Sequence, residues 1–448
     1  RDFARSDHPQ VQAQLDRLGR LSVPDGRLGL KTVRALLDLL GNPHRALPPV
    51  FHVAGTNGKG STCAFLRAML EAQGYSVHVT TSPHLVRYNE RIRLAGKLIG
   101  DERLASLLSE VLDAGEDLGP SFFEVTIAAA FLEFARIPAD ACVVEVGLGG
   151  RYDATNVLEP AVLAVCGIAA LGIDHERFLL APEDGVPSDP VARIAFEKAG
   201  IAKAGVPLAC LSYPQAAQQE IEAAAARAGA PLSARGAEWV AETGRHLFYR
   251  DAEGELALPL PSLPGAHQAV NASLAIAMLR AQDVLPVTPH ALAQGIEQAT
   301  WPARLQCLAP GPLAGHREIW LDGGHNADAG RMLGAHFAGQ QLHLVLGMLD
   351  AKDPAALVDP LAPMIASLAV VPVPGHDWHP AEAIAPQARF FPDIVNALAA
   401  IPEDGMPVLI AGSLYLAGDV LRRNDEAPQY PRRYSAGATA CPASGATT

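Results

Sequence analysis

Short, almost unbroken apolar runs recur along the chain, each followed by a stretch with helical spacing. VFHVA (50–54), YSVHVTT (75–81), DACVVEV (140–146), AVLAVCGI (161–168) and VPLACLS (206–212) predict strands. They lack the in–out alternation of a half-exposed sheet, so both faces are expected to be covered. Helical patterns fall between them, at 60–73, 122–136, 191–203 and 214–228. This alternation predicts a doubly wound α/β domain. PLPSLPG (259–265) interrupts the series, and the helix AHQAVNASLAIAMLRAQ (266–282) follows. A second series begins after TWPARLQ (300–306). Its strands are REIWLDG (317–323), QLHLVLG (341–347), ASLAVVPVP (366–374) and PVLIAG (407–412), with helices near 326–338, 354–360, 392–400 and 413–423. The expected plan is an N-terminal α/β domain over 1–298, a smaller Rossmann-like α/β domain over 299–424 and a loose tail over 425–448. The boundary is expected near 295–303. No solenoid repeat is present.

Composition narrows the function class. The 448 residues are enough for two or three ordinary domains and a large core, and 49% are hydrophobic, which excludes a disordered chain. The formal charge of -13 argues against general nucleic-acid binding, which needs clustered cations. No apolar run is long enough to predict a membrane span, and the first residues lack the apolar core of a signal peptide. The six cysteines form no C-x-x-C pair, and several lie in apolar runs. Reduced, mostly buried thiols and a cytoplasmic location are therefore expected.

Candidate chemistry gathers where predicted strands end. VFHVAGTNGKGST (50–62) is a strand, a glycine-rich turn and a helix start. Backbone N–H groups and the helix dipole at such a junction favour a phosphate. Gly55, Gly58 and Gly60 allow close approach, Lys59 adds a point charge, and Ser61 and Thr62 offer hydroxyls. The spelling departs from G-x-x-x-x-G-K-[ST], because Gly60 follows Lys59. A glycine-rich turn without a ligand is the alternative. Ser82 follows the second strand. Glu145 lies inside an apolar strand, where a carboxylate is costly unless a cation or hydrogen bonds hold it; an ion pair to Arg151 or Arg91 is its structural alternative. Asp174 and His175 follow the next strand. Ser82, Glu145 and His175 thus offer a hydroxyl, a carboxylate and an imidazole, suited to Mg²⁺ or Mn²⁺ beside nucleotide phosphates. Glu197 and Lys198 lie on a helix, where a surface lysine is the default. In the second series, Asp322 and His325 flank two glycines, Asn326 is placed to cap a helix, and Arg304 lies just past the boundary. A ligand between two domains would place these residues within reach of it.

Taken together, HVAGTNGKGST, TSPHLVRYNERI, FFEVT, EVGLGGRYDATN, IDH, EKAGI, NASLA, ARLQ, LDGGHN and AGSLYLAGDVL resemble, in content and order, the folylpolyglutamate and dihydrofolate synthases of the Mur-ligase superfamily. The resemblance spans roughly 10–424 and implies a Mur-ligase-like fold. It implies ATP-dependent joining of L-glutamate to dihydropteroate and to reduced folates through an acyl phosphate. It implies that Thr56, Asn57, Gly58 and Lys59, with Gly60 and Ser61, hold ATP phosphates, and that Asn271, Arg304 and Asp322 contact ATP. Ser82, Glu145 and His175 match Mg²⁺ ligands. Lys198 matches a lysine carried as a carbamate, an anion for a second Mg²⁺. Lys59, Lys198 and His325 are the expected catalytic residues. Ser121, Phe122, Phe123 and Glu124, with Tyr152, Asp153 and Ala154, match the dihydropteroate pocket, where an aromatic ring suits a flat pterin. The sequence departs from the family at three places. Gly324 stands where an alanine commonly precedes the histidine. The stretch LLAPEDGVPSDP (179–190) is an insertion beside the site. The segment 23–33, with Gly26, Arg27 and Leu28, matches the pterin segment poorly. Neither nucleic acid nor membrane is an expected partner, and a monomer is expected. A cell-wall ligase of the same superfamily and a nucleotide-binding regulatory module are the rival readings.

Overall fold

The computed structural model describes residues 5–21, 29–173 and 179–425. Contacts divide the chain into two units. The first runs to Pro261 and resumes over Gln268–Ala299; the second comprises Ser262–His267 and begins again at Thr300.

In the first unit, eight strands form one sheet. They are β1 (Val50–Ala54), β2 (Val77–Thr80), β3 (Ile92–Leu94), β4 (Lys97–Leu98), β5 (Ala141–Glu145), β6 (Leu163–Ile168), β7 (Leu208–Cys210) and β8 (Leu232–Ala234). Their order is β4-β3-β2-β5-β1-β6-β7-β8. The six from β2 to β8 in that order are parallel, while β3 and β4 add an antiparallel hairpin at one edge. Every residue of β1, β5 and β6 is buried, which explains their uninterrupted apolar character. The doubly wound α/β expectation holds, with strand ends trimmed: 75–81, for example, pairs only over Val77–Thr80. Winding reverses at β1, whose neighbours are β5 and β6. Open α/β sheets bind ligands beyond the carboxyl ends of strands at such a reversal.

A three-stranded antiparallel sheet was not anticipated. It comprises β9 (Val240–Thr243), β10 (Leu247–Asp251) and β11 (Gly254–Leu258). Along β10, Leu247 and Tyr249 are buried while Phe248 and Arg250 are exposed, so this sheet has one covered face and a period of two. The amphipathic helices Pro9–Leu18, Lys31–Leu39 and Asp101–Gly115 are also additions to the expected set.

The second unit holds β12 (Gln306–Cys307), β13 (Ile319–Leu321), β14 (Leu342–Leu346), β15 (Ile365–Val370), β16 (Arg389–Phe390) and β17 (Val408–Ala411). They order as β12-β13-β17-β14-β15-β16, all parallel except β12 at the edge. The core strands β13, β14 and β17 are buried throughout.

Cys63, Cys142, Cys166 and Cys210 are free and buried, as expected. Burial pushes the Cys166 and Cys210 thiols up to about 12, so they remain protonated and inert. Cys307 is 8% exposed, on the edge strand β12 rather than inside a doubly covered sheet. Among the described residues, no helix is long and apolar enough to cross a membrane.

Candidate active site

The glycine-rich turn leaves β1 at the sheet's reversal point. Gly58 caps the Lys59–Ala72 helix with φ +81°, and no side chain caps that end. The first N–H groups of the helix are therefore left for an anion. A Cβ on Gly58 would fall 2.3 Å from Asn271 Oδ1, so glycine is required by conformation and by space. Thr56 and Asn57 donate their backbone N–H groups to the Ala170 carbonyl at 2.8 and 3.2 Å. The Thr56 hydroxyl donates to the Gly172 carbonyl at 2.9 Å, which pins the turn to the strand-end loop after β6. Lys59 Nζ donates to the Thr56 carbonyl at 3.3 Å, so the ammonium lies over the turn. Gly60, Ser61 and Thr62 are buried in the first helical turn. Asn271 is buried in the Ala266–Arg280 helix and donates to Gln268 Oε1 at 3.1 Å. The structure thus brings Asn271 to the glycine-rich turn.

Glu145 ends β5, opposite Val53 of β1, and is 5% exposed. Its Oε2 accepts the backbone N–H of Ser82 at 2.9 Å, so the ends of β2 and β5 meet. Burial and then the Glu145 charge push the Cys63 thiol up, while Lys59 pulls it down. The carboxylate and the ammonium therefore act on one point at the helix start. Arg151, offered above as a structural partner of Glu145, is directed instead to Glu183 and Glu197. Asp174 and His175 lie outside the described residues, as do Gly26, Arg27 and Leu28. Among the described residues, no group of three or more His, Cys, Asp or Glu could hold a metal ion. Ser82 and Glu145 supply the hydroxyl and carboxylate that a hard cation prefers, so the part of the set described here fits Mg²⁺.

Lys198 is not a surface lysine. It is 4% exposed, near the end of the Pro190–Ala199 helix. That helix abuts the turn after β5: a Cβ on Gly150 would meet Glu197 O at 2.8 Å, Lys198 O at 2.9 Å and Lys198 Cα at 3.0 Å. Arg151 N donates to Glu197 O at 2.7 Å and seals the joint.

The expected pterin residues divide into two kinds. Ser121 and Glu124 form a capping box at the start of the Phe122–Arg136 helix. Ser121 N donates to Glu124 Oε2 at 2.7 Å, and Glu124 N donates to Ser121 Oγ at 3.2 Å. Asp153 is buried and accepts from Leu148 N at 2.8 Å, Thr155 N at 3.0 Å and Thr155 Oγ1 at 2.5 Å. These three polar side chains build the frame. Ala154 is also buried, at the start of a short 3₁₀ turn. The aromatic residues are freer. Phe123 meets Gly147 with its ring tip, Phe122 packs edge-on to Tyr88, and Tyr152 is 39% exposed beneath the Arg151 guanidinium.

Behind this frame, His52 of β1 bonds Thr155 Oγ1 through Nε2 at 2.8 Å. Burial, then Lys203, lowers the His52 pKa from 6.5 to about 3. Between those values only the unfolded chain takes up this proton, so stability falls as the pH falls through that window. The loss from this group is at most about 1.4 kcal/mol per pH unit. Urea midpoints measured from pH 7 to pH 4 are expected to fall less steeply for His52→Gln; an unchanged slope would assign the acid sensitivity to other groups.

In the second unit, Arg304, Asp322 and His325 meet beyond the carboxyl end of β13. Asp322 is 1% exposed and accepts from Leu305 N at 2.8 Å and Gly324 N at 2.7 Å. Burial raises its pKa, against the pull of Arg304 and the two N–H groups. Arg304 Nη1 donates to the Ala303 carbonyl at 2.9 Å. Its neighbours Ala303 and Leu305 have φ of +54° and +46°, unusual for residues with a Cβ. His325 Nδ1 lies 3.2 Å from the Gly323 carbonyl. Asn326 caps the following helix, as expected, by accepting from Ala329 N.

Sequence reasoning gave no role to Glu183, Arg193 or Phe196, which surround Arg151. The Arg193–Glu197 spacing of four on a helix was a usable signal. Glu183, in the stretch 179–190, had none.

Comparison with known proteins fits this geometry. No protein-family model matches the chain. It is 33% identical over 433 residues to the dihydrofolate synthase/folylpolyglutamate synthase of Bacillus subtilis, covering 88% of this chain and 94% of that one. The Escherichia coli protein of the same description is 34% identical, over 88% and 90% of the two chains. Among solved structures, an Escherichia coli protein in complex with DHPP and ADP superposes with a TM-score of 0.81 at 31% identity, covering 94% of this chain and 98% of that one.

Proposed function

Because the chain belongs to the dihydrofolate synthase/folylpolyglutamate synthase family, we propose that it joins L-glutamate to dihydropteroate, giving dihydrofolate, and to reduced folates, giving folylpolyglutamates, with hydrolysis of ATP. The observation that carries this reading is the meeting of the phosphate loop with buried Glu145 beside the reversal point of the sheet. A relative solved with Mn, AMPPNP and L-glutamate bound supports it.

In this reading a carboxylate oxygen of the pteridine substrate attacks the γ-phosphorus of ATP, and ADP leaves. The amine of L-glutamate then attacks the acyl carbon. Inorganic phosphate leaves, and the amine gives up its proton as the amide forms. Direct amide formation from a carboxylate is uphill, and the acyl phosphate makes it downhill. Gly58, Gly60 and Ser61 hold phosphate oxygens through the helix N-terminus, Thr56 and Asn57 shape the loop through their bonds to the Ala170 and Gly172 carbonyls, and Lys59 draws charge from the phosphates. Asn271, Arg304 and Asp322 serve the nucleotide. His325 and Lys198 complete the catalytic set. Ser82 and Glu145, with His175 and a Lys198 carbamate, would hold two Mg²⁺ ions. Bound Mg²⁺ would neutralise charge building on the transferring phosphoryl group. Phe123 and Tyr152 offer ring faces to the pterin, while Ser121, Glu124, Asp153 and Ala154 fix the walls on which those rings stand.

The test is Mg²⁺- and L-glutamate-dependent ADP release, with dihydropteroate or tetrahydrofolate added in turn. Stimulation by both is expected. Stimulation by neither would end the reading, and activity with a nucleotide-linked peptide precursor alone would point to a cell-wall ligase.

A further inference from the structure

The insertion 179–190 is fixed to the frame at three points. Leu179 is buried, and a Cβ on Gly149 would lie 2.9 Å from its Cδ2. At the other end, Asp189 caps the Pro190–Ala199 helix by accepting from Ala192 N at 2.8 Å. Between them, Glu183 takes both terminal nitrogens of Arg151, at 2.9 and 2.5 Å, and Arg193 Nη2 at 2.9 Å.

Glu183 thereby closes a ring of four charges. Glu197 bonds Arg151 at 2.8 Å and Arg193 at 3.0 Å, and Glu183 bonds the same two arginines. The Arg193 and Glu197 side chains are each 6% exposed. Arg193 and Glu197 are buried, and a buried cation left uncompensated is strongly destabilising, while Arg151 and Glu183 are 21% and 38% exposed and add the second carboxylate at the rim. Glu197 supplies one from the helix that carries Lys198. The insertion supplies the other.

Arg151 joins this ring to the pocket. Its guanidinium lies 4.3 Å from the centroid of the Tyr152 ring and 4.9 Å from that of Phe196. A guanidinium clamped from both sides holds the Tyr152 ring against one fixed plane. With Glu183 gone, Arg151 would turn fully toward Glu197 or into solvent, and Tyr152 would lose its backing.

We propose that Glu183 is a positioning residue for pteridine binding: through Arg151 it fixes Tyr152, and with Leu179 it makes the inserted segment a permanent wall of the pteridine pocket. This rests on the reading that Tyr152 faces the pteridine.

The experiment compares Glu183→Gln, Glu183→Asp and Tyr152→Ala with the parent chain, measuring kcat and KM for dihydropteroate and for ATP. Glu183→Gln keeps the size and removes the charge. It is expected to raise the dihydropteroate KM about tenfold, with kcat and the ATP KM within about twofold, the signature of lost substrate binding. Glu183→Asp is expected to recover part of that loss. A dihydropteroate KM unchanged in Glu183→Gln but raised in Tyr152→Ala would overturn the proposal and leave the pocket assignment standing. An unchanged KM in Tyr152→Ala would overturn both. Equal losses in kcat and both substrate terms, with a lower melting temperature, would mark Glu183 as merely structural and also overturn it.

Discussion

If Lys198 has the proposed carbamate role, Lys198→Ala is expected to cut turnover by about a hundredfold or more, since losing an anion that would hold a metal ion removes several kcal/mol of transition-state charge stabilisation. ATP affinity is expected to stay within about threefold, because the phosphate loop, Lys59 and Asn271 are untouched. The structural ground is the lysine's position. It is 4% exposed, on a helix that meets the Gly150 turn in backbone contact. Steady-state ADP release gives turnover, and titration with a fluorescent ATP analogue gives affinity. Turnover like that of the parent would remove Lys198 from the site. Equal losses in both quantities would mean that the helix had shifted rather than that a charge had gone.

Gly58→Ala is expected to weaken nucleotide binding by about a hundredfold, near 3 kcal/mol, since two penalties add. The left-handed backbone costs a residue with a Cβ about 1–2 kcal/mol. The added methyl would also sit 2.3 Å from Asn271 Oδ1, and Asn271 is held in turn by buried Gln268. Gly74→Ala separates the two effects. Gly74 has φ +101° but nothing within 4 Å of an added Cβ, so it carries only the backbone penalty. Gly74→Ala is expected to bind nucleotide like the parent and to melt slightly earlier. Parent-like binding by Gly58→Ala would show that the turn adapts and that Asn271 is not fixed against it.

How much of this was legible in the sequence depended on what each residue does. The central strands were readable because a strand buried on both faces must be apolar at every position. The β9–β11 meander was not legible, because exposed Phe248 hides the apolar–polar alternation of the buried face that carries Leu247 and Tyr249. The phosphate loop was visible through its glycines, and Gly58 shows why no other residue fits. Ser121 and Glu124 were placed in the pocket by resemblance, yet their spacing also spells a capping box, and the structure uses them as one. Asp153 is likewise consumed by local N–H groups. The burial of Lys198 could not be inferred from its helix, because it depends on a turn some fifty positions earlier approaching without a side chain. Glu183 was silent for a related reason: a carboxylate in a Pro- and Gly-rich stretch says nothing about the two arginines that await it. His175 lies outside the described residues, so its role stands on resemblance alone.

The left-handed residues on either side of Arg304 bear on attempts to stabilise the protein by substitution. Ala303→Gly or Leu305→Gly would relax a backbone that costs about 1–2 kcal/mol at each position. A screen that selects only for melting temperature would favour such changes. Each would also loosen the backbone on either side of Arg304, exchanging a fixed guanidinium for heat resistance. Alanine and leucine at these two positions are thus where thermal robustness and ligase performance would be expected to pull apart under laboratory evolution.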